Sequence, residues 1–178
     1  MTSFYSEEEL KSLGLKKVGT KVLLSRNTSL YGVSNIEIGD NVRIDDFCIL
    51  SGNIKIGSNV HISAYSALYG KNGIVLEDYT GISPRSTLFS AMDDFSGDYL
   101  IGPIHQSYQI NVKGGPIMLK RFSQIGANCV IFPNITIEEG AVVGAMSLVN
   151  NNIPEWTIYA GVPAKFLKIR SKQLLKLI

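Results

Sequence analysis

The sequence predicts an all-β solenoid, and three observations carry that expectation. Large aliphatic residues recur every six positions, small or apolar residues sit two positions before each of them, and Gly or an acidic residue often follows directly after. The first series runs Ile38, Ile44, Leu50, Ile56, Ile62, Leu68. It slips by two at Lys71-Asn72-Gly73 and resumes at Leu76, Ile82, Leu88. After a long interruption it returns at Leu119, Ile125, Ile131, Ile137, Val143 and Val149, so that all fifteen positions are Ile, Leu or Val. Six is no multiple of the helical period but is three strand periods, so every sixth side chain points the same way. One such segment cannot bury its apolar face alone, whereas stacked coils cover one another. The positions two earlier, among them Ile36, Val42, Cys48, Val60, Ser66, Ser123, Cys129, Ala141 and Ser147, suit a tight interior. Gly39, Asp45, Gly57, Glu77, Gly126, Glu138 and Gly144 follow the aliphatic residue, and the expectation is that these bend the chain with positive φ.

Taken in order, residues 1–25 read as a short helical cap. Ser6-Glu7-Glu8-Glu9 is a capping box opening a helix that stops near Gly14. Residues 26–88 are a first block of coils. Residues 89–116 break the grid, and a loop of that length inside a regular solenoid is usually functional. Residues 117–153 are a second block, which Pro154 ends. The close, residues 154–178, is a C-terminal segment whose residues 164–178 carry Phe166, Leu167, Ile169, Leu174, Leu175 and Ile178 among basic residues, and these read as an amphipathic C-terminal α-helix packed on the open end of the prism or on a neighbour.

A net charge of +2, with no basic block, gives no nucleic-acid footprint. The start lacks the cationic and apolar runs of a signal peptide, and no apolar stretch is long enough to span a membrane as a helix, so a cytoplasmic protein without membrane insertion is expected. Cys48 and Cys129 both fall on interior positions and read as buried thiols.

The repeat, written [Ile/Leu/Val]-[Gly/Asp/Glu]-x-x-[small]-x, resembles the hexapeptide repeat of left-handed parallel β-helices, in which three hexapeptides close one triangular coil. The resemblance implies the left hand, against the usual crossover rule. Ile125-Gly126-Ala127-Asn128, Phe132-Pro133-Asn134-Ile135-Thr136-Ile137, Val143-Gly144-Ala145-Met146-Ser147 and Tyr159-Ala160-Gly161-Val162-Pro163-Ala164-Lys165 are similar to stretches of the sugar O-acetyltransferases of that superfamily, the galactoside O-acetyltransferase type. The segment Ser90-Ala91-Met92-Asp93-Asp94-Phe95-Ser96-Gly97 resembles loops of lipopolysaccharide and capsule acetyltransferases.

The resemblance implies acetyl-CoA as co-substrate, a homotrimer with sites between subunits, and a sugar hydroxyl as acceptor in surface polysaccharide biosynthesis. Carried over by position, Gly126, Ala127, Gly144 and Ala145 face the pantetheine arm, and Pro163 belongs to the closing motif beside it. Lys165 and Lys168 meet the CoA phosphates, while Asn150 and Asn151 stand where the family often has Thr-Lys. The family's catalytic His, in a Thr-His-Pro motif, is replaced here by Asp93. Three readings of the base follow: Asp93 or Asp94 with a raised pKa, each acid helping the other; His61, held outward on a coil; or an amine acceptor on a nucleotide-linked sugar that needs little help. Tyr65, Tyr69 and Arg85 lie near enough in the stack to line the acceptor pocket, and His105 reads as a loop residue. Other classes on the same fold are weaker. A zinc enzyme wants three His and the chain has two, a Thr-rich structural helix would have no long loop, and a non-catalytic trimeric scaffold would not need the small-residue groove. No metal is expected.

Overall fold

The computed structural model describes residues 3–178; Met1 and Thr2, part of the segment read as a cap, lie outside the described residues. All fifteen aliphatic grid positions are interior, none more than 2% exposed. The positions two earlier are buried with them, from Ile36 and Val42 to Ala141 and Ser147. The stack makes about seven coils and closes as a left-handed parallel β-helix of the expected type.

Each coil contributes one short strand to each of three faces. The first face stacks Ser29–Tyr31, Ile49 to Ser51, Ala67 to Tyr69, Thr87–Phe89, Val130–Ile131 and Leu148–Val149. The second stacks Lys17–Val18, Ile36–Ile38, Ile54 to Ile56, Ile74 to Leu76, Ile117–Leu119 and Thr136–Ile137. The third stacks Leu23–Leu24, Arg43–Ile44, His61–Ile62, Gly81–Ile82, Gln124–Ile125, Val142–Val143 and Thr157–Ala160. Every pairing within the stack is parallel, and the register shifts only where the two-residue slip falls, between Gly52 and Ile54, so chemically equivalent side chains form columns along the axis.

The corners depart from expectation. The left-handed residue is not the Gly after the aliphatic position but falls further on, at Asn41, Phe47, Asn59, Tyr65, Tyr79, Arg85, Phe122, Asn128, Asn134, Met146 and Trp156. Gly39, Gly57, Gly126 and Gly144 keep ordinary φ and are small for a different reason. A Cβ on Gly39 would stand 2.7 Å from the Gly57 carbonyl carbon, and one on Gly126 would stand 2.5 Å from the Ala145 nitrogen. They let one coil sit on the next. The bulky left-handed residues stack between coils instead: Tyr79 on Phe122 at 5.2 Å, Phe122 beside Trp156 at 6.3 Å, and Phe47 on Tyr65 at 5.0 Å. That contact offsets a conformation costing about 1–2 kcal/mol at a non-Gly residue.

The ends differ too. Helix Glu7–Ser12 carries the predicted capping box, with the Ser6 amide donating to Glu9 and the Glu9 amide to Ser6 Oγ. The solenoid, however, already begins at Lys17–Val18 and Leu23–Leu24, inside the segment read as a cap. At the C-terminus no α-helix forms. Lys165–Ile169 turns back as an antiparallel strand on Thr157–Ala160, and only a 3₁₀ turn, Gln173–Leu177, follows. The last coil leaves an edge of open backbone groups that a returning strand satisfies and a helix would not. Arg170 clamps the return, donating through Nη1 to the Phe122 and Gly140 carbonyls at 2.8 and 2.9 Å.

Candidate active site

The long loop leaves the corner between the first and second faces. Ala91–Asp93 pairs antiparallel with Val112–Gly114, making a two-stranded stem. Asn72, at the slip of the repeat, forms the clasp for that stem. The Asn72 amide donates to Ser90 Oγ at 2.8 Å, and Asn72 Nδ2 to the Ser90 carbonyl at 3.1 Å. Ser90 is buried, and its hydroxyl donates in turn to the Tyr69 carbonyl at 2.9 Å.

The stem separates the two acids. Asp94 points in and is buried; its carboxylate accepts from the Ser96 amide at 2.9 Å and from Asn111 Nδ2 at 2.8 Å, and pairs with Lys113 Nζ at 2.8 Å. The Lys113 ammonium, with the Ser96 amide, holds the Asp94 carboxyl well below the usual carboxylate range. The expected raised pKa is therefore wrong for Asp94, which is a fastener of the loop. Asp93, half-buried, faces the other way into a cleft of about 870 Å3 that Tyr69, Lys71, Phe89, Pro103 and Ile110 also line. Its carboxylate has no hydrogen-bond or ion-pair partner among the described residues.

His61 lies elsewhere, on the third face. Its Nε2 stands 2.8 Å from Asp45 Oδ2, and Arg43 Nε holds Asp45 Oδ1 at 2.7 Å. Partial burial pushes Asp45 up, but His61 and Arg43 outweigh it and keep the carboxyl below its ordinary value. Beside His61 runs a groove of about 280 Å3 that Ser63, Gly81, Ser83 and Gln124 line, and it shares no residue with the cleft around Asp93. Gly81 keeps the groove open, since a Cβ there would meet Gln124 Oε1 at 2.3 Å. Within one chain, then, His61 and Asp93 are not brought together. Tyr65 and Arg85 also fall outside the Asp93 cleft, at the corner between the third and first faces, where the Arg85 guanidinium lies 5.4 Å over the Tyr65 ring. Tyr69 is in the cleft.

That corner carries a column of residues that directly follow the aliphatic positions, Asp45, Ser63, Ser83, Gly126 and Gly144, continued by Ala160 after Tyr159. Gly126 and Gly144 are small for coil packing, as above. Ala127 and Ala145 are the groups turned outward, and their amide N–H groups donate to nothing among the described residues. A thin chain bearing amide carbonyls fits such a rail of free donors. At its far end Gly161, Val162 and Pro163 are exposed, and Lys165 and Lys168 project from the returning strand. Asn150 and Asn151 are exposed and bonded to each other at 2.9 Å. At its near end stands Ser83, which the sequence reading passed over. It is half-buried and its hydroxyl has no partner among the described residues. A hydroxyl in the place that Gly takes one coil later was the signal. His105 stays in the loop and lines neither cleft.

Among the described residues no cluster of His, Cys, Asp and Glu is suited to a metal, and no helix is long and apolar enough to cross a membrane.

Comparison with known proteins adds to this picture. The family of bacterial transferase hexapeptide (six repeats) matches residues 35–70. The chain is 38% identical to the dTDP-4-amino-4,6-dideoxy-D-glucose acyltransferase of Escherichia coli, over 98% of this chain and 93% of that one. It is 50% identical to AntD, an N-acyltransferase from Bacillus cereus solved in complex with dTDP and 3-hydroxybutyryl-CoA, with a TM-score of 0.97 over 99% of this chain and 95% of that chain. A serine variant of AntD has been solved with dTDP-4-amino-4,6-dideoxyglucose and coenzyme A, at 49% identity and the same TM-score of 0.97, 99% of this chain and 95% of that chain being covered. Other AntD variants replace an aspartate ten positions after that serine.

Proposed function

This chain belongs to the bacterial hexapeptide-repeat acyltransferases, and from that premise we propose that it moves an acyl group from coenzyme A to the amine of a dTDP-linked 4-amino-4,6-dideoxy sugar. Of the two acceptors the sequence left open, the amine is better supported than the sugar hydroxyl. The observation that carries the reading is Asp93, an unpartnered carboxylate in the large cleft at the place where the sugar O-acetyltransferases have histidine.

The chemistry fits a carboxylate. A hydroxyl must lose its proton as it attacks, which calls for a base near neutrality. An amine attacks with its own lone pair. The C–N bond forms at the thioester carbonyl, the C–S bond breaks, and the proton left on nitrogen passes to Asp93 while the thiolate departs. The Ser83 hydroxyl, at the end of the rail formed by Ala127 and Ala145, is placed to hold the thioester oxygen or the acceptor. The spacing of Ser83 and Asp93 is ten, the same as that of the two positions varied in AntD.

Asp93 and Ser83 line separate clefts of one chain, so a single acceptor meets both only across two copies. This supports the homotrimer, with Asp93 from one subunit and Ser83 with the coenzyme rail from its neighbour. A cytoplasmic reaction is the reading that acyl-CoA and nucleotide-sugar substrates favour, and an acylated nucleotide sugar is the form of donor that glycosyl transfer into a surface polysaccharide takes.

The test is kinetic. Asp93→Asn is expected to lower kcat by about 10²- to 10⁴-fold with acetyl-CoA binding unchanged. Trimers formed by co-expressing Asp93→Asn and Ser83→Ala subunits are expected to regain activity, because some interfaces then carry both native residues. An Asp93→Asn enzyme that turns over at the native rate, or mixed trimers no better than either parent, would refute the assignment.

A further inference from the structure

The outward column of the first face runs Tyr31, Ser51, Tyr69, Phe89, each in register with the next. Tyr69 and Phe89 lie nearly parallel, their centroids 5.4 Å apart and their planes 10° off. Stacked rings in successive coils present their faces along the solenoid axis. One face of Tyr69 is therefore covered by Phe89, and the other looks toward Ser51. That side chain is too short to cover it, and Gly52 follows. Tyr31 stands two strand spacings from Tyr69, about 9.6 Å, which leaves the thickness of one planar ring between them. The opening gives onto the cleft that holds Asp93. On the same wall stands Lys71, exposed and in no ion pair among the described residues, whereas Lys113 is committed to Asp94. An aromatic face with room for one ring, an uncommitted ammonium and a carboxylate thus follow one another in one cleft.

We infer that this slot is the nucleotide half of the acceptor site: the pyrimidine base stacks on Tyr69 over Ser51, the diphosphate meets Lys71, and the sugar amine is delivered to Asp93. The inference rests on the nucleotide-sugar reading above. A base offers a π-face to an aromatic platform, and stacking of this kind is sequence-tolerant and strong. A diphosphate seeks a cation, for which the flexible lysine head serves as a point charge. Ser51 is then a specificity-determining residue, since its shortness opens the slot.

The experiment is calorimetric titration of the full-length protein with dTDP, inorganic pyrophosphate and acetyl-CoA. Tyr69→Leu is expected to weaken dTDP binding about tenfold and to leave pyrophosphate unaffected. Lys71→Gln is expected to weaken both by about tenfold and to flatten the salt dependence. Ser51→Tyr, which continues the ring column and should fold at least as well, is expected to abolish dTDP binding. All three should bind acetyl-CoA as the native protein does. If the native protein binds acetyl-CoA but not dTDP, the nucleotide-sugar reading falls and takes this inference with it. If it binds dTDP and the three variants bind within twofold of native, the function stands and the slot assignment is overturned.

Discussion

Gly114 tests how the stem positions the Asp93 carboxylate to which the proposed function assigns the proton transfer. It pairs with Ala91, which lies two residues before Asp93 on the opposite strand of the stem. A Cβ placed there would stand 2.3 Å from Asn72 Nδ2 and 2.4 Å from the Ser90 carbonyl oxygen. The amide of Asn72 could swing away, but the Ser90 carbonyl is backbone in a buried clasp. Ordinary contact begins near 3.4 Å, so in Gly114→Ala the stem must move outward by roughly 1 Å. A displacement of that size at a reacting group costs about 10²-fold in rate. The strain itself should cost about 1–3 kcal/mol, felt at the stem and at the clasp that Asn72 and Ser90 make with it. The assay is steady-state acyl transfer together with acetyl-CoA titration and thermal melting. The expectation is kcat/KM down about a hundredfold, acetyl-CoA affinity unchanged and only a small loss in Tm. A variant with native kcat and KM would show that the stem does not set the position of Asp93, and would refute the argument from the clasp.

Other consequences can be checked independently. The Asp94 carboxyl is held low by Lys113 and the Ser96 amide, so its contribution to loop stability is present above the ordinary carboxylate pKa and is lost as pH falls through its depressed folded value. Protease cleavage within 95–111 should therefore be faster in Asp94→Asn than in native protein at pH 7, and the two should converge in strong acid; equal rates at pH 7 would contradict the fastening role. Arg170→Ala removes both donors to the Phe122 and Gly140 carbonyls and the cation above Trp156, and should cost about 1–3 kcal/mol in urea unfolding with a change in Trp156 fluorescence. Burial pushes the Cys48 thiol up to about 11 and raises that of Cys129, so neither should react with a thiol reagent at pH 8 until the chain unfolds. Labelling of the native protein at either position would mean that the interior opens more readily than its packing implies.

The six-residue period gave the architecture because every grid residue is interior, and interiors constrain residue type strongly. The corners were less legible. Gly39 and Gly126 were read as positive-φ turns, but coil-to-coil contact demands their smallness, while Phe47, Tyr79 and Trp156 take the left-handed conformation because their rings stack. No local propensity would assign it to them. The C-terminal helix failed for a similar reason. The apolar residues from Phe166 to Ile169 suit a helix and a strand alike, and the unsatisfied edge at Thr157–Ala160 decides between them. At the site, Asp93 was visible as a departure from a motif. Its difference from Asp94 was not, since adjacent residues on a strand face opposite ways and only the stem pairing says which faces the cleft. Ser83 and Lys71 were hidden because the residues that line a cleft with each of them lie on other coils. The two-residue slip at Lys71-Asn72-Gly73, which looked like an irregularity, is the clasp that anchors the loop.

The most direct measurement is the identity of the product. Purified protein incubated with acetyl-CoA and dTDP-4-amino-4,6-dideoxyglucose should give one product, whose NMR spectrum shows an amide on the sugar's C4 nitrogen. The Asp93→Asn variant should form it far more slowly. An ester on a ring hydroxyl, or turnover of free sugars with the nucleotide-linked amine left untouched, would contradict the account.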